Sequence, residues 1–261
     1  MPHASRPLPP TASDPPPAAG TPALTIPSRF CGPPDSANGG YFAGLVATLA
    51  ARTVSVRLLK PPPLDTELTV SALDDGGVQL LQGEELIGEA HPATLTLAAP
   101  RPPDYLQAVE ASRHYAGFRH HPFPGCFVCG TQRARGDGLR IFAGPIAARG
   151  VVAAPWVPDA SLDAGDGKVR AEFMSAALDC PGYFAVTPDD RLMLLAEFTA
   201  HVDRRVHVGE SCTLLGWGLG RNGRKHEAGT AVFDGKGELC GRARALWIEP
   251  RTAAVSELAP R

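Results

Sequence analysis

The chain writes Gly-Tyr-Phe-Ala twice, within NGGYFAGL at 38–45 and within CPGYFAVT at 180–187. So short a match carries no weight alone in a Gly- and Ala-rich chain, so the flanks decide. Downstream of the first copy, VSVRLLKPPPLDTELTV (54–70) lies without a gap over FTAHVDRRVHVGESCTL (198–214), which follows the second. The residues differ, but the alternation of apolar and polar positions and the place of the turn agree. Each half then ends on a shared element, ELIGEA at 85–90 and ELCGRA at 238–243. Segments that recur in the same order at similar spacing predict an internal duplication. The two Gly-Tyr-Phe-Ala segments then sit on the equivalent helix of two copies of one fold.

The local signals agree with that plan. Tyr41–Arg52 reads as a helix, because it is rich in Ala and Leu, lacks Pro, and follows Ser36 and Asn38, both good N-cap types. Phe42, Leu45, Val46 and Leu49 make it apolar almost all round, which suits a buried helix. Ala23–Phe30 reads as a short strand. VSVRLLK (54–60), TELTVSAL (66–73), GVQLLQG (77–83) and ELIGEAHPATLTL (85–97) read as antiparallel strands, with Val54, Val56 and Leu58 alternating against Ser55 and Arg57. In the second half, GLRIFAG (138–144) and GVVAAPW (150–156) read as strands and Val169–Val186 as largely helical. LLAEFTAHV (194–202), SCTLLGWGLG (211–220), KHEAGTAVFD (225–234) and ELCGRARALWI (238–248) follow as strands. Arg-Asn-Gly at 221–223 and Asp-Gly at 234–235 suit tight hairpin turns with positive φ.

The predicted organisation is a Pro-rich disordered tail at 1–22, one α+β domain at 23–99, a connector at 100–124, a second domain at 125–250 and a tail at 251–261. Prolines bound the connector, and its centre has room for one or two helical turns. At 261 residues the chain has room for two domains of about 100–130 residues. A net charge of −2 lacks the basic excess of a nucleic-acid binder. No apolar run reaches the bilayer-spanning length of about 20 residues, and the N-terminus lacks the apolar core of a signal peptide. A cytoplasmic protein with no membrane partner is expected. Cysteines at 31, 126, 129, 180, 212 and 240 are scattered, so reduced thiols are expected rather than a disulfide framework.

A buried helix followed by an antiparallel sheet that wraps it is an α+β layer arrangement. Here the chain resembles the hot-dog fold, in the double-hot-dog form of the acyl-CoA thioesterase-like superfamily. In the first half the resemblance rests on the Asn-Gly-Gly-Tyr helix start, VSVRLLKPPPLDTELTV and ELIGEA. In the second it rests on CFVCG, GDGLRIF and AALDCPGYFA. It covers roughly 24–250 and implies a tandem hot-dog whose halves pair back-to-back or edge-to-edge as a pseudo-dimer, with an acyl chain in the cleft between them. It implies an acyl-CoA hydrolase with no separate cofactor, coenzyme A being part of the substrate. A dimer of the pseudo-dimer is compatible with this reading.

Thioester hydrolysis needs a carboxylate to activate or orient water and donors to stabilise the oxyanion. Asn38, Gly39 and Gly40 fit the donor role, because a helix start leaves backbone N–H groups unpaired and glycine lets substrate approach. A plain capped helix that needs Gly to turn explains them equally. Asp179 stands in the apolar AALDCPGYF segment, where an acid is costly unless paired or functional. Capping beside Pro181 is its alternative role. The resemblance implies that an Asp at this place on the second helix holds the attacking water. It also implies a Ser or Thr on the next strand and a Gln on the last. Thr199 lies near the first of these, with Glu197 equally close. The last strand reads RARAL (242–246), with no Gln, which favours the alternative of a noncatalytic acyl-CoA or lipid binder.

Three further features have plainer readings. The Asp-x-Asn-Pro-x-His pattern of hot-dog hydratases is absent, and His91, His201, His207 and His226 read as surface histidines. His121, Cys126 and Cys129 have the spacing of three zinc ligands, but a tight turn into the next strand explains Cys-Phe-Val-Cys as well, and no metal is assigned. Arg133, Arg135, Arg140, Arg204 and Arg205 fall in turns, where they read as solvated or as contacts for the phosphates of coenzyme A.

Overall fold

A computed structural model describes residues 22–187 and 191–251. The tails expected at 1–22 and 251–261 lie almost wholly outside them. The elements in chain order are β1 (Ala23–Thr25), α1 (Gly39–Ala50), β2 (Val54–Leu58), β3 (Glu67–Ala72), β4 (Val78–Gln82) and β5 (Glu85–Pro92), then α2 (Tyr105–Ser112), β6 (Gly144–Ile146), β7 (Val151–Trp156), α3 (Ala171–Ala177), α4 (Cys180–Val186), β8 (Leu194–Val202), β9 (Cys212–Asn222), β10 (Lys225–Phe233) and β11 (Leu239–Ile248). No helix among the described residues is long and apolar enough to cross a membrane.

The strands form one sheet in the order β1-β3-β4-β5-β2-β8-β11-β10-β9-β7-β6. Every neighbouring pair is antiparallel. At the middle, β2 joins β8, with Ser55 opposite Thr199, Val56 opposite Phe198 and Arg57 opposite Glu197. Outward from this junction one arm runs β2, β5, β4, β3, β1 and the other runs β8, β11, β10, β9, β7, β6. The segments that align in sequence, 54–70 with 198–214 and 85–90 with 238–243, therefore hold mirrored places in the sheet.

Residues at one parity of the strands turn to the helices. Val54, Val56, Leu80, Ile87, Phe198, Leu214 and Ala245 meet Phe42, Val46, Phe173 and Leu178 in one continuous core. The connector is more than a tether. Asp104 and Gln107 form a capping box that starts α2. Ala108 and Ala111 of this helix then pack with Val151, Ala153, Leu215 and Phe233 in a second, smaller core. These alternate along β7 and β9 with the residues of the main core, so α2 covers the opposite face of the second arm.

Three expected elements differ. The strand over 23–30 stops at Thr25, and residues 28–30 turn into a 3-10 helix after Pro27. The strand over 138–144 does not form. Gly136 and Arg140 take positive φ, and the N–H groups of Leu139 and Ile141 donate to Phe127 and Val128, so this segment pairs with the Cys-x-x-Cys turn. The helix over 169–186 is two helices, because Pro181 has no N–H for the carbonyl one turn back and its ring crowds that turn.

The β10–β11 turn depends on one acid. Asp234 Oδ1 accepts from the N–H groups of Lys236 at 2.9 Å and Glu238 at 2.8 Å, and Oδ2 accepts from Arg204. Burial works to raise its pKa, but Arg204 and the two N–H groups outweigh burial and hold it below 3.8. A carboxyl depressed in this way adds stability that is complete above the unfolded value and is lost as pH falls through the lower folded value. Asp234→Ala should cost about 2 kcal/mol at neutral pH, read from denaturant midpoints, and the deficit should shrink below 3.8. A variant as stable as the parent at neutral pH contradicts this.

Candidate active site

α1 and α3 cross with almost no space between them. A Cβ on Gly40 would stand 2.5 Å from Asp179 Cβ and 2.9 Å from the Ser175 carbonyl oxygen. One turn on, a Cβ on Gly44 would stand 2.7 Å from Glu172 Cα. Contacts therefore move back along α3 as they move forward along α1, so the two helices are antiparallel. The missing side chains bring the start of α1 against the break between α3 and α4, where Asp179 lies.

Asp179 occupies the N-cap position of α4, yet its side chain makes no capping bond to that helix. It reaches α1 instead. Its Oδ2 accepts from Asn38 Nδ2 at 2.7 Å and from Gly40 N–H at 3.0 Å. Asn38 is itself the N-cap of α1, its Oδ1 accepting from Tyr41 N–H at 2.9 Å. One amide thus fixes the helix start and holds the carboxyl of the other half. Asp179 is 2% exposed. Burial, reinforced by the charge of Cys126 and opposed by the Gly40 and Asn38 donors, pushes its pKa up to about 7.

The carboxyl lies on the wall of a cleft of about 300 Å3. Both arms contribute to it, with Leu58 and Pro62 from the first and Phe184, Leu195 and Trp247 from the second. Four buried side-chain nitrogen or oxygen atoms among the described residues have no hydrogen-bond partner: Asp179 Oδ1, His121 Nε2, Trp247 Nε1 and Arg242 Nε. The first three belong to residues that line this cleft. Buried polar atoms are nearly always paired, so unpaired groups gathered on one cleft mark it as a place for a polar ligand.

Cys126, Cys129 and Cys180 line the same cleft, and their sulfurs lie within 4.8 Å of one another. The Cys126 and Cys180 sulfurs lie 3.8 Å apart, either able to donate, and the neighbouring Cys129 and Cys180 thiols push the Cys126 pKa well below the usual thiol range. Burial pushes Cys129 up, and donation to Cys126 pushes Cys180 up. Sequence spacing picks His121 as the companion of Cys126 and Cys129, whereas the fold brings Cys180. His121 Nδ1 accepts from Phe123 N–H at 2.9 Å. The available signal for Cys180 was its place beside Asp179 in an apolar helical run.

The structure thus brings Asn38, Gly39 and Asp179 to one cleft, with Gly40 behind them and bonded to Asp179. It does not bring Thr199, which pairs with Ser55 on the sheet face opposite the helix-facing Phe198. The cleft residues of β8 are Leu194, Leu195 and Ala196. Gly40 N–H is bonded to Asp179, so Gly39, in the first turn of α1, carries the N–H without a helical partner. His226 is buried rather than at the surface, with Nε2 2.8 Å from Glu249 Oε1. Four of the arginines are held by other groups: Arg133 by Gly125 and Asp137, Arg140 by the Arg133 carbonyl, Arg204 by Asp234, and Arg205 by Asp166.

No protein-family profile and no curated protein sequence matches the chain. Solved structures do. The tesB protein of Mycobacterium avium subsp. paratuberculosis superposes with a TM-score of 0.55 at 14% identity, over 82% of this chain and 88% of that one. A candidate thioesterase of Novosphingobium aromaticivorans gives 0.56 at 14% identity, over 88% and 95%. A hot-dog protein of unknown function from Alicyclobacillus acidocaldarius gives 0.50 at 9% identity, over 88% and 92%. The chain has the hot-dog fold, of the α+β class, and its structural neighbours include thioesterases.

Proposed function

We propose that the protein is a tandem hot-dog hydrolase of acyl thioesters, with halves at 23–99 and 125–250 and coenzyme A as the carrier. The observation that carries this reading is the grip on Asp179. One carboxylate oxygen is fixed by Asn38 and Gly40, and the other is left without a partner on an apolar cleft. A carboxylate so oriented is placed to take a proton from water as that water attacks the thioester carbonyl. The oxyanion would meet the Gly39 N–H, with Trp247 Nε1–H as a further donor in the same cleft. The acyl chain would lie along Leu58, Leu195 and Phe184.

A second reading has its own support. On the cleft, β8 presents Leu194, Leu195 and Ala196 and β11 presents Trp247 and Ile248, so neither the Ser or Thr nor the Gln that the resemblance implies lines it, which favours binding of an acyl thioester without cleavage. Incubation with acyl-CoAs of varied chain length, followed by release of free thiol, decides between the two. Hydrolysis supports the enzyme. Acyl-CoA-dependent thermal stabilisation with no thiol release across the panel establishes the binder.

A further inference from the structure

We propose that Cys126, Cys129 and Cys180 bind one zinc ion through three thiolates, with the fourth coordination position open to the cleft. This goes beyond the hydrolase reading and takes as ligands none of the residues assigned to water or oxyanion.

The geometry is that of a metal knuckle. In Cys126-Phe-Val-Cys129-Gly130, Gly130 N–H donates to the Cys126 carbonyl at 2.8 Å. A Cβ on Gly130 would stand 2.4 Å from that same oxygen, so the turn requires glycine. Asn38 Nδ2 supplies side-chain donation, 4.0 Å from the Cys126 sulfur and 3.9 Å from that of Cys180. Donors around the sulfurs are what stabilises metal-bound thiolates.

The spacing suits the ion. Tetrahedral zinc with bonds of about 2.3 Å sets its sulfurs about 3.8 Å apart; Cys126 and Cys180 stand 3.8 Å apart, and all three sulfurs lie within 4.8 Å of one another, so a small closing of the third completes the set. Burial alone does not produce such a group. Cys31, Cys212 and Cys240 are also buried, and no metal-ligating group of three His, Cys, Asp or Glu forms around them among the described residues. Three soft anionic ligands exclude magnesium and calcium. Against three thiolate charges a divalent ion leaves one net negative charge, which the Asn38 amide can meet. A monovalent copper ion would leave two. All three ligands line the cleft, so the remaining position faces it, as in zinc sites that keep a place for water or substrate.

The test is metal content of the full chain purified under reducing conditions without chelator. About one zinc per chain is expected, and Cys126→Ser, Cys129→Ser and Cys180→Ser should each lower it at least tenfold, whereas Cys212→Ser should not. Cobalt-reconstituted parent protein should show sulfur-to-cobalt charge transfer and intense tetrahedral d–d bands, a readout that stands even if a serine variant fails to fold. Folded parent protein that takes up neither zinc nor cobalt in excess overturns the inference, as does zinc retained by a folded Cys180→Ser. Asp179→Asn separates the two proposals, since it should lose turnover and keep its zinc. Protein that hydrolyses thioesters but takes up neither zinc nor cobalt in excess would overturn the zinc site alone.

Discussion

Asp179→Asn is expected to slow thioester hydrolysis by at least about two orders of magnitude while leaving the melting temperature within a few degrees of the parent. The asparagine has the shape of the aspartate. Its Oδ1 can accept the same two hydrogen bonds that Asn38 Nδ2 and Gly40 N–H now give to Oδ2. Its amide nitrogen then replaces the unpaired oxygen that faces the cleft, and an amide nitrogen takes no proton from water. Stability changes little because two effects oppose. The charge-assisted bonds weaken, but the cost of holding an ionised carboxyl at 2% exposure disappears. Asp179→Ala provides the contrast, because it strands both donors in a buried site at about 1–3 kcal/mol for each group. Turnover and melting temperature should therefore separate in the asparagine variant and fall together in the alanine variant. Full hydrolysis by a folded Asp179→Asn removes Asp179 from the reaction and leaves the cleft as a binding site.

Much of this site is legible in the sequence, for reasons tied to particular residues. Asn38 is a strong N-cap type ahead of an apolar helical run, and it caps α1. Asp179 was conspicuous because acids are rare in so apolar a stretch. That the two touch is not written in the sequence, because it depends on α1 crossing α3, the helix before the one that carries the second Gly-Tyr-Phe-Ala segment. What escaped depends on tertiary contact or on register. A shift of one residue turns a strand side chain to the other face, and β8 carries an irregularity against β11 between Leu246 and Trp247. Spacing alone therefore could not say that Thr199 faces away while Leu195 faces the cleft. The segment at 138–142 alternates like a strand, but its backbone partners are the carbonyls of a turn. Cys180 lies far from Cys126 in sequence, and only the packing of α4 against that turn unites them.

Gly40→Ala and Gly44→Ala form a matched pair that tests whether the closeness of the helices serves the reaction or only the fold. Both substitutions force a methyl group into the α1–α3 contact. At position 40 the obstacles are Asp179 Cβ at 2.5 Å and the Ser175 carbonyl at 2.9 Å; at position 44 they are Glu172 Cα at 2.7 Å and Ser175 Cβ at 2.8 Å. Each obstacle is backbone or the first atom of a side chain, so no rotamer change relieves it and the helices must part. Overpacking of this kind costs about 1–3 kcal/mol, and the two variants should lose similar stability in denaturant titrations. Their kinetics should differ. Moving Gly40 lengthens the 3.0 Å bond from its N–H to Asp179 Oδ2 and displaces the carboxyl itself, and a misplacement near 1 Å can cost about 100-fold in rate. The contact at Gly44 lies one turn away from the carboxyl, so its variant should keep kcat within about tenfold once enough folded protein is present. Equal losses of kcat in the two variants would assign the glycines to helix packing alone. A loss confined to Gly40→Ala, at matched stability, would tie the rate to the position of Asp179 against the start of α1.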